Sequence, residues 1–183
     1  VVVDPFRAGH ESTFHPGEVN LLRAGVVVIN KVDSAPAENV RALEENVRRL
    51  NPSAVIVKTA SVVSVQEPEA IRGKRVLVVE DGPTLTHGGM TTGAGMQAAL
   101  QYGAAQVVDP RAYAQGDLAD VYRRYPKLGP IVPALGYYPG QLRDLQDTIE
   151  AMPVDVVVSA TPSSLDRLVS VNKPIVQVTY EMV

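Results

Sequence analysis

Short β-branched runs alternate with amphipathic stretches along nearly the whole chain, and this alternation restricts the fold more than any other feature. Apolar runs at residues 1–4, 26–30, 54–58, 75–80, 106–109, 131–134, 155–159 and 175–180 are almost unbroken by polar residues. A strand with one wet face alternates polar with apolar, whereas a continuous run marks a strand covered on both faces. Helical periodicities fall between the runs. The clearest spans 37–50, where Val40, Leu43, Val47 and Leu50 share a face, with Asp33 or Ser34 near its cap and Pro52 just past its end. A second covers 139–151 through Leu142, Leu145, Ile149 and Met152. Others are expected at 17–24, 95–102, 118–125 and 164–169. Strand–helix alternation of this kind predicts an α/β fold, a three-layer, mostly parallel sheet with flanking helices of the Rossmann-like type.

Composition narrows the function classes. The chain has 183 residues, 45% of them hydrophobic and 20% charged, as in an ordinary globular protein. A net charge of −3 argues against a nucleic-acid partner, which calls for a basic face. There are no cysteines, which removes disulfides and thiolate chemistry and is compatible with the cytoplasm. No apolar run approaches the ~20 residues of a membrane span, and no signal peptide is evident, so no membrane partner is expected. The chain opens at Val1 inside what reads as a strand, the expectation for a piece of a longer polypeptide. A seam near 66–74 separates residues 1–72 from 73–183, either as two domains or as parts of one continuous domain.

In open α/β sheets ligands lie beyond the carboxyl ends of the strands, so the loops that follow each run are where chemistry is sought. After 26–30 comes Asn30-Lys31-Val32-Asp33. In P-loop GTPases this arrangement reads the guanine base: the carboxylate accepts from ring and exocyclic N–H, the amide supplies a further contact, and the Lys stem lies over the purine. The alternative is a plain polar turn. After 54–58 comes Thr59-Ala60-Ser61, where Ala60 and Ser61 stand one helix and one strand beyond that loop, at the place of a backbone contact to the base. Residues 1–72 therefore read as the base-recognition half of a P-loop NTPase-like domain. No G-x-x-x-x-G-K-[ST] phosphate loop occurs in the sequence.

The densest polar, glycine-rich stretch runs from Glu80 to Gly95 and feeds a helix, which gives 73–183 the expected substrate and phosphate loop. Its glycines, Gly88 and Gly93 among them, permit close backbone approach, and a helix start offers N–H groups to an anion. Glu80 and Asp81 could hold Mg²⁺, Thr84 and Thr86 could donate to phosphate, and His87 could donate to phosphate or move a proton. A long surface loop is the competing reading. After 1–4, Arg7, His10 and Glu11 crowd one strand end with His15 and Glu18. Arg111 could meet an anion or pair with a neighbouring acid. Thr161-Pro162-Ser163-Ser164 reads first as a helix cap.

Taken together, Val3-Asp4-Pro5, Gly9-His10-Glu11, His15-Pro16-Gly17-Glu18, Val28-Ile29-Asn30-Lys31-Val32-Asp33, Ile71-Arg72-Gly73-Lys74 and Val78 through Gly88 resemble the cyclic 2,3-diphosphoglycerate synthetase family. Ala160-Thr161-Pro162 and Asn172-Lys173-Pro174 fit as well. The resemblance spans essentially the whole chain. It implies ATP-driven closure of a phosphoanhydride on 2,3-bisphosphoglycerate, a ligase-type phosphoryl transfer with Mg²⁺. It also implies a P-loop segment upstream of Val1, without which the chain alone is expected to turn over little. On this reading Asn30, Lys31, Asp33, Ala60 and Ser61 hold the nucleotide, ATP or GTP. Asp81 and His87 serve catalysis, Asp4 and Asp81 the metal, and Arg7, His10, Glu11, Thr84, Thr86, Gly88, Gly93 and Arg111 the phosphorylated substrate. A GTPase with a regulatory or metallocentre-assembly role and a non-catalytic binding module are the rival expectations, and a homo-oligomer is compatible with any of them.

Overall fold

The computed structural model describes residues 1–82, 91, 93–136 and 138–183. It is a Rossmann-like α/β structure of mostly parallel strands and crossover helices, as the alternation predicts. The chain divides into two compact units, Val1–Val62 with Tyr180–Val183, and Val63–Thr179.

In the first unit, β1 (Val2–Val3), β2 (Val26–Ile29) and β3 (Val55–Lys58) form a parallel sheet in the order β1-β2-β3. Val2 pairs with Val28, and Val28 with Val57. Two short helices, α1 (His10–Thr13) and α2 (Gly17–Arg23), connect β1 to β2, and α3 (Ala37–Leu50) connects β2 to β3. Leu21 of α2 and Leu43 and Val47 of α3 pack on Val3, Val27 and Ile29, which share one face of the sheet. The other face, with Val2, Val26, Val55 and Val57, is exposed. Asn51, just past α3, is buried and donates to the carbonyls of Leu21 and Ala24 at 2.9 and 2.8 Å, satisfying the end of α2.

The six-stranded sheet has the order β4-β9-β8-β5-β6, with β7 also on β5. Here β4 is Ser61–Val65, β5 Arg75–Asp81, β6 Gln106–Val107, β7 Val132–Ala134, β8 Val156–Ala160 and β9 Ile175–Met182. β5 pairs with β8 along one edge; along the other it pairs first with β6 and then with β7, all in parallel. Because β5 is followed on one side by β6 and β7 and on the other by β8 and β9, the topological switch point lies between β5 and β8. The two faces of β5 are covered by different layers. Val76 and Val78 join Ala98 and Ala99 of α4 (Ala94–Gln101) and Tyr122 of α5 (Gly116–Arg124). Leu77 and Val79 join Leu145 and Ile149 of α6 (Pro139–Ala151). Both faces being buried explains the unbroken apolar run.

Some elements depart from expectation. Residues 61–65 form β4, a strand not among those expected. Residues 164–169 give one 3₁₀ turn, Leu165–Arg167, in place of a helix. Helix α3 has Pro36 at its cap and no side-chain capping bond, so neither Asp33 nor Ser34 caps it; the Asp33 carboxylate accepts from the Ser61 N–H instead. Among the described residues no helix is long and apolar enough to cross a membrane.

Candidate functional site

The three parallel strands of the first unit deliver their following loops to one edge. Asn30 continues the β2 ladder by donating its backbone N–H to Val3 at 3.1 Å, and Thr59 donates back to Ile29 at 2.9 Å. The Asn30 side-chain oxygen accepts from the Lys31 N–H at 2.8 Å and from the Thr59 hydroxyl at 3.0 Å. Asn30 thus clamps the β2 loop to the end of β3. Asp33 reaches the same loop from the other side, its Oδ1 accepting from the backbone N–H of Ser61 at 3.1 Å. Ala60 is held in turn by reciprocal backbone bonds with Val183 at 2.8 and 3.1 Å. Asn30, Lys31, Asp33, Ala60 and Ser61 are therefore assembled within one unit, at the carboxyl edge of its sheet.

Lys31 has φ +61°, the left-handed region, which costs a residue other than glycine roughly 1–3 kcal/mol. Its ammonium meets Asp4 Oδ2 at 2.7 Å, with the two side chains 30% and 25% exposed, and stands 5.9 Å from the centre of the Phe6 ring. Asp4 Oδ1 also accepts from the Phe6 N–H at 3.0 Å, capping the turn Pro5–Arg7. The carboxylate expected at a metal is thus engaged by a lysine and a backbone amide. Glu11 is buried and likewise occupied: it accepts from the Gly9 N–H at 2.7 Å and from the Asn46 amide at 2.8 Å, tying α1 to α3. His10 is exposed and its ring lies 4.5 Å from that of Phe14. The Arg7 Nε is buried with no hydrogen-bond partner among the described residues.

In the second unit the carboxyl end of β5 carries Glu80 and Asp81. Glu80 is buried, and its Oε1 accepts from the N–H groups of Gly93 at 3.0 Å and Met96 at 2.9 Å. The first turn of α4, which the sequence offers to an anion, is thus occupied by a carboxylate of the protein itself. Burial pushes the Glu80 carboxyl above the usual range, and the charge of Asp81 adds to this, while the backbone donors of Met96, Gly93 and Gly95 oppose it. At the neighbouring end of β8, Ser159 is fully buried, shares a hydrogen bond with Thr161 at 3.1 Å and is followed by Gln177 donating to the Thr161 carbonyl at 3.0 Å. Thr161 caps no helix; its hydroxyl donates to the Ser163 carbonyl. Arg111 is paired with Asp109, donates to the Leu128 carbonyl and lies 5.5 Å from the Tyr122 ring centre, which fixes it to the body of the unit.

Thr84, Thr86, His87 and Gly88 lie outside the described residues, whereas Asp81 and Gly93 flank them. Among the described residues no three His, Asp or Glu side chains form a group able to hold a metal. Phe6, Thr59, Ser159, Gln177 and Asn46 are the participants that sequence reasoning did not single out. Thr59, inside the Thr59-Ala60-Ser61 string, and Phe6, next after Asp4-Pro5, carried a signal.

No protein-family model matches the chain. Over 182 residues, 100% of its length, the chain is 49% identical to a protein named arginine synthetase ArcE from Thermococcus kodakarensis, and it spans 41% of that relative. The relative's name corrects the functional expectation: a chain this similar to an arginine synthetase is not assigned cyclic 2,3-diphosphoglycerate synthesis, and the bisphosphoglycerate substrate goes with it. The strings that carried the resemblance do not by themselves fix a substrate, since one fold carries many activities.

Proposed function

We propose that this chain forms part of an ATP-dependent ligase that makes arginine. The observation that carries the proposal is the 49% identity across the whole chain to a protein of that name. The convergence of Asn30, Lys31, Asp33, Ala60 and Ser61 at one sheet edge supports a nucleotide there. With Asp33 Oδ1 held by Ser61, Oδ2 is the oxygen proposed to accept from an exocyclic base amine. ATP is the nucleotide proposed, with GTP, whose base an Asn-Lys-x-Asp loop reads in P-loop GTPases, as the alternative the assay below decides. The second unit's edge at Asp81, Gly82 and Gly93 is the proposed place of the remaining substrate. Mg²⁺ would accompany the nucleotide phosphates, keeping several waters as its ligands. A cytoplasmic setting fits a nucleotide-dependent enzyme without cysteines.

The test is reversal. The intact enzyme is incubated with arginine, ADP and inorganic phosphate, or with AMP and pyrophosphate, and ATP is measured. ATP formed only when arginine is present supports the reading. No ATP from either mixture, with the protein folded by circular dichroism, sinks it. Repeating the assay with guanine nucleotides decides the base.

A further inference from the structure

We infer that Asp4 is a positioning residue for Lys31 in nucleotide binding. The inference rests on the proposed nucleotide site at the β1–β3 edge. Asp4 follows β1 and Lys31 follows Asn30 at the end of the neighbouring strand, so the lysine side chain is drawn back across the strand ends to reach the carboxylate at 2.7 Å. Three independent contacts fix Lys31 before any ligand arrives. Its backbone is held at φ +61° with its N–H on Asn30 Oδ1, its ammonium is held by Asp4, and the Phe6 ring lies beneath that ammonium at 5.9 Å. A lysine left to solvent samples many rotamers, and a base stacking on its stem must stop that motion. Asp4 removes the cost in advance. It does so with one oxygen only, because Oδ1 caps the Phe6 N–H and Oδ2 takes the lysine. The carboxylate is thereby anchored to the Pro5–Arg7 turn.

This assignment separates cleanly from a metal-ligand role. A metal ligand acts only when the divalent ion is present; a residue that orders a lysine acts on the nucleotide whether or not the ion is there. Asp4→Ser keeps an oxygen able to cap Phe6 and removes the charge, which protects the fold. The experiment measures ADP affinity by calorimetry in the intact enzyme, once in EDTA and once in Mg²⁺, for the wild type, Asp4→Ser, Lys31→Ala, Asp4→Ser/Lys31→Ala and Asp33→Ala.

The expected result is a loss of about three- to tenfold for Asp4→Ser, equal in EDTA and in Mg²⁺, the range that immobilising one long side chain is worth. The double variant should bind no more weakly than Lys31→Ala alone, because Asp4 acts through that lysine. Wild-type affinity of Asp4→Ser in EDTA, or a loss confined to Mg²⁺, overturns the assignment while a weakened Asp33→Ala leaves the nucleotide site standing. Wild-type affinity in both Lys31→Ala and Asp33→Ala removes the site, and the assignment with it.

Discussion

The carboxylate of Glu80 fills the space that a side chain on Gly93 would need: a Cβ built on Gly93 overlaps Glu80 Oε2 and lies 3.1 Å from its Cδ. The glycine is required by this neighbour and not by its backbone, which is extended at φ −136°. Gly93→Ala should therefore destabilise by about 1–3 kcal/mol, the usual cost of overpacking. Combined with Glu80→Ala, which opens the space, the loss from Gly93→Ala should shrink. Additive losses in a denaturant double-mutant cycle would show that the two residues do not compete for that volume.

Glu80 also sets a pH dependence. Its carboxyl is raised in the folded state, chiefly by burial, so the folded protein holds the proton more tightly than the unfolded chain does. Stability from this group is fully present below the unfolded carboxylate value, and it is lost as pH rises through the raised one. Unfolding free energies of wild type and Glu80→Gln, compared from acid to neutral pH, should show wild type losing ground as pH rises. A difference that stays flat with pH contradicts the shift.

Glu11 was a substrate candidate on sequence grounds, yet both its oxygens are bonded internally, to Gly9 and Asn46. Glu11→Ala should cost about 1–3 kcal/mol of stability, because it strips buried donors of their acceptor. Substrate KM in the intact enzyme should stay at the wild-type value. A raised KM with unchanged melting behaviour would return Glu11 to the binding site.

Asn51 joins α3 to the end of α2 through the carbonyls of Leu21 and Ala24. Replacing its amide by a carboxylate, Asn51→Asp, sets a buried anion against two carbonyl oxygens. The loss should exceed that of Asn51→Ala, itself about 1–3 kcal/mol. Urea unfolding of both variants orders them, and a milder Asn51→Asp would place water rather than the carbonyls at that position.

The fold was legible where one physical rule dominated. Helix α3 occupies the residues its periodicity predicts because Leu43 and Val47 must reach a sheet face, and α6 does so for Leu145 and Ile149. β4 was not legible, since within Ser61–Val65 only Val63 is buried and two serines interrupt the run. Helix α1 is four residues long, too short to show a period. For the site, the rule that loops follow the carboxyl ends of strands brought Asn30, Lys31, Asp33 and Ser61 into view. It could not reveal that Asp4 bonds to Lys31 and Phe6, or Glu11 to Gly9 and Asn46. Nor could it show that Glu80 meets Gly93 and Met96, since such pairings depend on how a loop returns to its strand.

β5 borders three strands, each separated from it in sequence by at least one helix: β8 on one edge, and β6 and then β7 on the other. Its amides cannot find partners by local collapse, because each partner arrives only after a helix has crossed the sheet. The second unit should accordingly close in one cooperative step around this strand. Val76 to Glu80 would then be the last amides to exchange their hydrogens with solvent, opening only when the whole unit does.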